Sequence, residues 1–331
     1  MKILWTHNFD PAIKSSGSFM WFMVDGLRKQ GMQIDVLNLG NLRSPWRILQ
    51  AILRVRAQSK NYDLVHAQFG SACSLVTMFA NKPKIVSLRG SDWYKFSGKN
   101  IFTKAHSYLG RLFTQISLRR FASIIVMSRH MQHELQSYLK HDSPSRVTVI
   151  TDPIDLQKFV PMPRDISRQK YFPEYQDHTL IMLATLHENN PIKRVALAKE
   201  AIRLVQQDAP NVRFVVASGI NHDDMPTFIS ACDLMLVTSR HEGWPNCIKE
   251  ALACGIPFVS TDVSDLKHIA RNQSRCRIAK PDAEDIAKQI LGTLCDSEPL
   301  DALSLRKHVL HMSITKSYNS LLNIYKKLLD E

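Results

Sequence analysis

Apolar residues in this chain come in short continuous runs, separated by longer stretches where they recur every three or four positions. Continuous runs read as strands buried on both faces, and the longer period reads as helices lying on the sheet. In the first half the runs fall at residues 3–6, 33–37, 64–66, 84–88, 123–126 and 147–150. Helical patterns fall at 18–30, 44–57, 72–79, 103–120 and 129–139. This βαβ alternation predicts a parallel sheet. A stretch holding Pro153, Pro161, Pro163 and Pro173 interrupts it and marks a domain boundary. The rhythm restarts with a strand at 180–183, a helix at 195–208, a strand at 212–217 and a short helix at 225–231. Strands at 234–238 and 257–261 and a helix at 283–295 follow, and residues 314–329 form a basic amphipathic segment. Two α/β domains with a cleft between them are expected, with substrates bound from both sides.

The length of 331 residues suits two ordinary domains. No run of 18 or more apolar residues is present, so no transmembrane helix is expected, and Met1-Lys-Ile-Leu-Trp-Thr6 reads as a strand rather than a signal peptide. The six cysteines show no metal-binding spacing and mostly sit in apolar segments, which predicts reduced, buried thiols in a cytoplasmic protein. Charge is uneven. Residues 1–150 carry 21 Lys/Arg against 7 Asp/Glu, a net +14, while the remainder carries 22 against 23. Segments 42–60 (Arg43, Arg47, Arg54, Arg56, Lys60) and 93–133 (Lys95, Lys99, Lys104, Arg111, Arg119, Arg120, Arg129) hold no acid and interleave their cations with apolar residues. Such a surface suits an anionic membrane or nucleic acid, although a basic helix face is often only solvated.

The densest chemistry lies in Arg240-His-Glu-Gly-Trp-Pro-Asn-Cys-Ile-Lys-Glu250-Ala-Leu-Ala-Cys-Gly-Ile-Pro257. Glu242 follows a strand end in a Gly/Pro loop, and Glu250 sits eight positions on, inside a helix. Ligands of such sheets gather at the carboxyl ends of the strands. Gly243, Trp244, Pro245 and Asn246 lead into the helix, where exposed N–H groups and the helix dipole attract phosphate. A carboxylate on that helix suits a ribose diol, through charge-assisted bonds of roughly 1.5–3 kcal/mol each. Glu242 suits sugar hydroxyls. The plainer alternatives are a capping acid at Glu242 and a solvated helix face at Glu250.

Residues 232–270 resemble the donor-site signature of family 4 retaining glycosyltransferases of GT-B fold. That signature is Glu-x7-Glu followed by Ala-x-Ala-x-Gly-x-Pro-x-Val-x-Thr-Asp, and the chain has Glu242, Glu250 and Ala251-Leu-Ala-Cys-Gly-Ile-Pro-Phe-Val-Ser-Thr-Asp262. Tyr62-Asp-Leu-Val-His-Ala67, Val86-Ser-Leu-Arg-Gly-Ser-Asp92, Ile124-Ile-Val-Met-Ser128 and Val149-Ile-Thr-Asp-Pro-Ile-Asp155 resemble further family segments. Asn190-Pro-Ile-Lys-Arg194 and His241-Glu-Gly243 are similar to enzymes that build surface polysaccharides. The resemblance implies two Rossmann-like parallel-sheet domains facing a cleft. Residues 1–155 would form the acceptor side, 156–312 the nucleotide-sugar donor side, and 313–331 a helix crossing back to the first domain. It places Glu242 near the transferred sugar, Glu250 on the ribose, and Lys193 and Arg194 at the phosphates.

Three positions depart from the family pattern. Arg89 stands where a histidine is usual; it can stabilise charge or grip an acidic group, or form a salt bridge with Asp92. The N-terminal Gly-Gly loop is Ser15-Ser-Gly17-Ser18 here, where the serines bond phosphate or simply cap a helix. The Gly-Arg before the phosphate lysine is absent, leaving Lys193 and Arg194, or else a solvated helix start. His66 follows a strand and either faces the cleft or is a satisfied interior histidine. Asp223-Asp224 reads as a helix cap and Thr261-Asp262 as backbone support. No Asp-x-Asp pair is placed for a metal, so neither metal nor cofactor is expected, with a nucleoside-diphosphate sugar as donor substrate. These features favour a retaining, metal-independent glycosyltransferase acting on a lipid-linked or polysaccharide acceptor, peripheral on the inner face of the cytoplasmic membrane. A catalytically altered partner subunit, a related epimerase or phosphorylase, and a nucleic-acid binder are the alternatives. The last lacks any base-reading motif and leaves the glutamates unexplained.

Overall fold

A computed structural model describes residues 1–10, 17–95, 101–139 and 144–330. Ser15, Ser16 and Lys99 lie outside the described residues. The chain divides into two compact units, Met1–Pro153 with Ile314–Glu331, and Ile154–Ser313.

The first unit alternates β1 (Lys2–His7), α1 (Ser18–Lys29), β2 (Gln33–Asn38), α2 (Pro45–Ser59), β3 (Leu64–Ala67), α3 (Ser71–Thr77), β4 (Lys84–Leu88), α4 (Ile101–Leu118), β5 (Ser123–Val126), α5 (Arg129–Leu139) and β6 (Val147–Val149). The six strands are parallel in the order β2-β1-β3-β4-β5-β6. β3 and β5 are buried at every position, as strands covered on both faces must be. The terminal helix Ile314–Asp330 packs on α1. The contact is close because position 26 is glycine: a Cβ there would lie 1.7 Å from Tyr318 Oη.

The second unit runs α6 (Arg164–Tyr171), β7 (Thr179–Ala184), α7 (Val195–Asp208), β8 (Val212–Ala217), α8 (Met225–Ser230), β9 (Leu234–Val237), α9 (Asn246–Ala253), β10 (Phe258–Thr261), α10 (Leu266–Ala270), β11 (Arg277–Ala279), α11 (Ala283–Leu294) and α12 (Ala302–Lys307). Its five strands are parallel in the order β11-β10-β9-β7-β8. β11 is a fifth strand beyond the four that the apolar runs predict. It has three residues at a sheet edge, too few to show a period. α6 also escapes the apolar pattern because it buries Arg168 while exposing Ile166. The Arg168 guanidinium donates to the carbonyls of Ala231, Tyr175, Gln176 and His178 and to Asp233 Oδ2 at 2.6–2.9 Å, which satisfies the buried charge.

Candidate active site

In the second unit the chain leaves β7 towards β8 on one side and returns to β9 on the other. Such a reversal opens a crevice at the carboxyl ends of the two neighbouring strands. The loops after β7 and β9 meet there. Lys193 ends the first loop and Glu242 lies in the second, with Nζ 2.6 Å from Oε1. Ser239 Oγ donates to the same oxygen at 2.7 Å. Side chains of both loops fix this meeting. Thr238 Oγ1 donates to the Lys193 carbonyl at 2.6 Å, and Thr261 Oγ1 donates to the Ser239 carbonyl at 2.6 Å. Arg194 Nε donates to the Thr238 carbonyl at 2.5 Å and Nη2 to the Ser239 carbonyl at 2.9 Å. The guanidinium expected at the phosphates thus also braces the loop. Arg194 has φ 50°, a left-handed conformation costing an L-residue roughly 1–2 kcal/mol, and these bonds offset it. Burial opposes the charge on Lys193, but Glu242 more than compensates and holds its pKa above the ordinary lysine value.

Glu250 lies on the second turn of α9 with its side chain 18% exposed. His222 Nε2 approaches its carboxylate at 3.8 Å, and Lys158 Nζ lies 2.8 Å from the other His222 ring nitrogen. The loop before α9 differs from the expected exposed cradle. Gly243, Trp244 and Pro245 are buried, and Asn246 is the exposed member of the four. The indole of Trp244 is packed inside, 6.0 Å from Lys249 Nζ, and Ser264 Oγ donates to the Gly243 carbonyl at 2.8 Å. Pro245 occupies the N-cap and has no N–H to offer. The Cys247 thiol, one turn before Glu250, is pushed up to about 12 by burial, so it is a protonated thiol.

In the first unit the reversal falls between β1 and β3. Gly17 has φ 73° and begins α1, and a Cβ there would lie 2.4 Å from the Phe9 ring, so both conformation and space call for glycine. Arg89, after β4, lies with its guanidinium 4.1 Å from the Phe19 ring centre. Its side chain pairs with Asp152 and donates to Gln68 Oε1 at 3.2 Å. The salt bridge with Asp92, the plainer alternative for Arg89, is not among its contacts. The Asp92 carboxylate instead accepts the backbone N–H groups of Gly70, Arg89 and Gly90 at 2.8–2.9 Å and shapes the loop. Two buried donors here, Arg89 Nε and Gln68 Nε2, have no partner among the described residues.

Of the two places open to His66, facing the cleft or satisfied in the interior, the hydrogen bonds favour the interior. Nδ1 lies 2.6 Å from Tyr325 Oη, and Nε2 lies 2.8 Å from Ser87 Oγ. Trp5 Nε1 donates to Tyr325 Oη at 3.0 Å. A neutral imidazole donates from one nitrogen and accepts at the other, so the Tyr325 and Ser87 hydroxyls between them satisfy both. Both ring nitrogens are occupied, which leaves none for a substrate. Burial holds the His66 pKa well below the ordinary value, with the Arg89 charge adding to the effect.

Several residues of the site escaped the sequence reading. Ser239, Thr238 and Ser264 are small hydroxyl residues without a spacing signature. Gln68, Phe19 and Asp152 meet Arg89 only once the sheet is assembled, and His222 and Lys158 reach Glu250 from separate loops. Position in the fold was the missing signal: most of them follow a strand or open a helix, and Lys158 sits in the turn after Asp155.

Two parallel α/β units, the second with a Lys–Glu pair at its switch point and another glutamate on the following helix, define a GT-B glycosyltransferase. The family model for Glycosyltransferase Family 4 matches residues 18–158, and that for Glycosyl transferases group 1 matches 204–296. The chain belongs to these glycosyltransferases. A Bacillus subtilis protein, TuaC, whose name assigns it as a glycosyltransferase to teichuronic acid biosynthesis, is 24% identical over 268 residues. The match covers 74% of this chain and 64% of that relative, so the chain spans just under two thirds of its length. Among solved structures, sucrose-phosphate synthase from Thermosynechococcus elongatus superposes with a TM-score of 0.74 at 16% identity, over 100% of this chain and 99% of that one. HepE from Anabaena, solved with UDP and glucose, gives 0.73 at 14% identity, over 99% of this chain and 100% of that one.

Proposed function

We propose that this chain is a retaining, metal-independent glycosyltransferase. It moves a sugar from a nucleoside-diphosphate sugar to a lipid-linked or polysaccharide acceptor at the cytoplasmic face of the membrane. The observation that carries this reading is the Lys193–Glu242–Ser239 cluster at the switch point of the second unit, with Glu250 on the helix that follows. As the bond from sugar to diphosphate breaks, negative charge grows on the leaving phosphates. In this reading Lys193 and the start of α9 offset that charge. Glu250 holds the ribose diol, and Glu242 orients both Lys193 and a sugar hydroxyl. Gly17 and Ser18 at the start of α1, together with Arg89, serve the acceptor side, where Arg89 Nε and Gln68 Nε2 can meet an acceptor oxygen. The name of the Bacillus relative supports a surface polysaccharide as product, and the UDP-bound neighbour supports a nucleotide sugar as donor. The basic first unit favours an anionic membrane, and no nucleic-acid partner is proposed. Among the described residues, no helix is long and apolar enough to cross a membrane.

The test is nucleoside-diphosphate release by the purified protein against a panel of UDP-, GDP- and dTDP-sugars. Release with one donor by wild type and its loss in Glu242→Ala are expected. No release with any donor, or equal release by Glu242→Ala, would count against the reading.

A further inference from the structure

Two helices of the first unit carry apolar side chains outward. On α2, Ala51, Val55 and Ser59 face the interior. The opposite face, at 3.6 residues per turn, carries Trp46, Leu49 and Leu53, of which Trp46 is 65% and Leu53 60% exposed. The same periodicity sets Arg47 and Arg54 along one edge of this ridge and Arg56 along the other, with Arg43 just before the helix and Lys60 just after it, all exposed. On α4, Ile101, Tyr108, Leu109 and Ile116 form a second exposed ridge, accompanied by the exposed Lys104, Arg119 and Arg120. Arg111 is turned back over the Trp93 ring at 5.4 Å. Both helices pack against α3, and the crossovers β2-α2-β3, β3-α3-β4 and β4-α4-β5 all advance in one direction across the sheet. Right-handed crossovers advancing one way lie on one face, so the two ridges share a surface. Neither helix carries an acid.

We propose that this surface docks on an anionic lipid bilayer, with Trp46, Leu49 and Leu53 entering the interfacial region and the flanking cations held at the headgroups. The proposal names the membrane-contacting surface and rests on the Proposed function only for placing the acceptor at the membrane. Three features select a bilayer. An apolar ridge bordered by cations on both edges matches the depth profile of a leaflet, apolar below and anionic above. A second copy of the chain, docked face to face, would set arginine against arginine. Nucleic acid would satisfy the cations but leave Trp46 and Leu53 against phosphate. Each cation near an anionic leaflet strengthens binding roughly fivefold, so Arg47, Arg54 and Arg56 on α2, with Arg43 and Lys60 at its ends, can hold a protein whose apolar ridge is shallow.

Flotation with phosphatidylcholine vesicles, with and without phosphatidylglycerol, at low and high salt, tests this. Wild type should float with the anionic vesicles and less well at high salt. Trp46→Gln/Leu49→Gln/Leu53→Gln should lower partitioning roughly 100-fold or more, with thermal melting and donor hydrolysis in solution unchanged. Arg43→Gln/Arg47→Gln/Arg54→Gln/Arg56→Gln should abolish the preference for anionic vesicles. Brominated acyl chains should quench wild-type tryptophan emission more than that of Trp46→Phe, which checks insertion should the triple variant be unstable. Failure of wild type to float, flotation of the triple variant equal to wild type, or a lipid-free dimer dispersed by the triple variant would overturn the proposal. Donor hydrolysis without flotation defeats the docking surface alone, and flotation without hydrolysis by any donor defeats the enzymatic reading alone.

Discussion

Removing the Lys193 ammonium isolates the interaction on which the donor site is built. In Lys193→Ala the Glu242 carboxylate keeps the Ser239 hydroxyl but loses its cation. The two side chains are 25% and 18% exposed, so the pair lies between two limits. Exposed pairs contribute about 0–1 kcal/mol, and breaking a fully buried pair costs about 3–5 kcal/mol. A loss of about 1–3 kcal/mol follows for the second unit, read as a shift in the urea unfolding midpoint. Glu242→Gln should cost less, because the amide oxygen still accepts from Ser239. A double-mutant cycle should return a coupling of about 1–2 kcal/mol. Because the pair raises the Lys193 pKa above its ordinary 10.5, this contribution is fully present at neutral pH and fades only as pH rises through the elevated value. In turnover, kcat/KM of Lys193→Ala should fall about 10²–10³-fold, as for other lost groups that stabilise developing charge. A coupling below about 0.3 kcal/mol together with unchanged turnover would refute the reasoning.

Three further outcomes follow from packing and burial. Gly26→Ala should destabilise the first unit by about 1–3 kcal/mol in thermal or urea unfolding, since its Cβ meets Tyr318, and Tyr318→Ala should remove most of the added penalty. Arg168→Met leaves the buried Ala231 carbonyl and the Gln176 carbonyl without this donor, while Asp233 keeps Arg164 and the Leu180 N–H, and should cost about 1–3 kcal/mol; no measurable change would contradict the buried network. His66 is neutral when folded and has a depressed pKa, so the unfolded chain takes up the proton first. Its contribution is complete above 6.5 and is lost as pH falls below that value, at up to about 1.4 kcal/mol per pH unit. His7, His241 and His308 shift in the same direction through burial, so the comparison is between wild type and His66→Gln, whose stability should depend less on pH below 6.5.

The sheet architecture was legible because parallel strands buried on both faces read as continuous apolar runs. β4 and β5 lie at the residues their runs mark, and β3 extends one residue further. Helix ends were less legible: the pattern at 103–120 became α4 at Ile101–Leu118. β11 and α6 were hidden, one by brevity at an edge and the other by a buried arginine in place of an apolar stripe. In the site, Glu242, Glu250 and Lys193 were visible as types and spacings. The contact between Lys193 and Glu242 was not, since it joins residues 49 apart through the sheet reversal. His66 stayed open between two readings, because a histidine after a strand carries the same sequence signal whether it meets a substrate or, as here, Tyr325 and Ser87.

Equilibrium titration of wild type, Lys193→Ala and Glu250→Ala with UDP, GDP and dTDP tests the donor site most directly. One nucleoside diphosphate should bind wild type at one per chain. Its affinity should fall roughly 10-fold or more in Glu250→Ala, from loss of charge-assisted bonds to the ribose, and comparably in Lys193→Ala, from loss of the phosphate partner. Binding of none of the three by wild type, or equal affinity in wild type and both variants, would contradict a nucleotide-sugar site at this switch point.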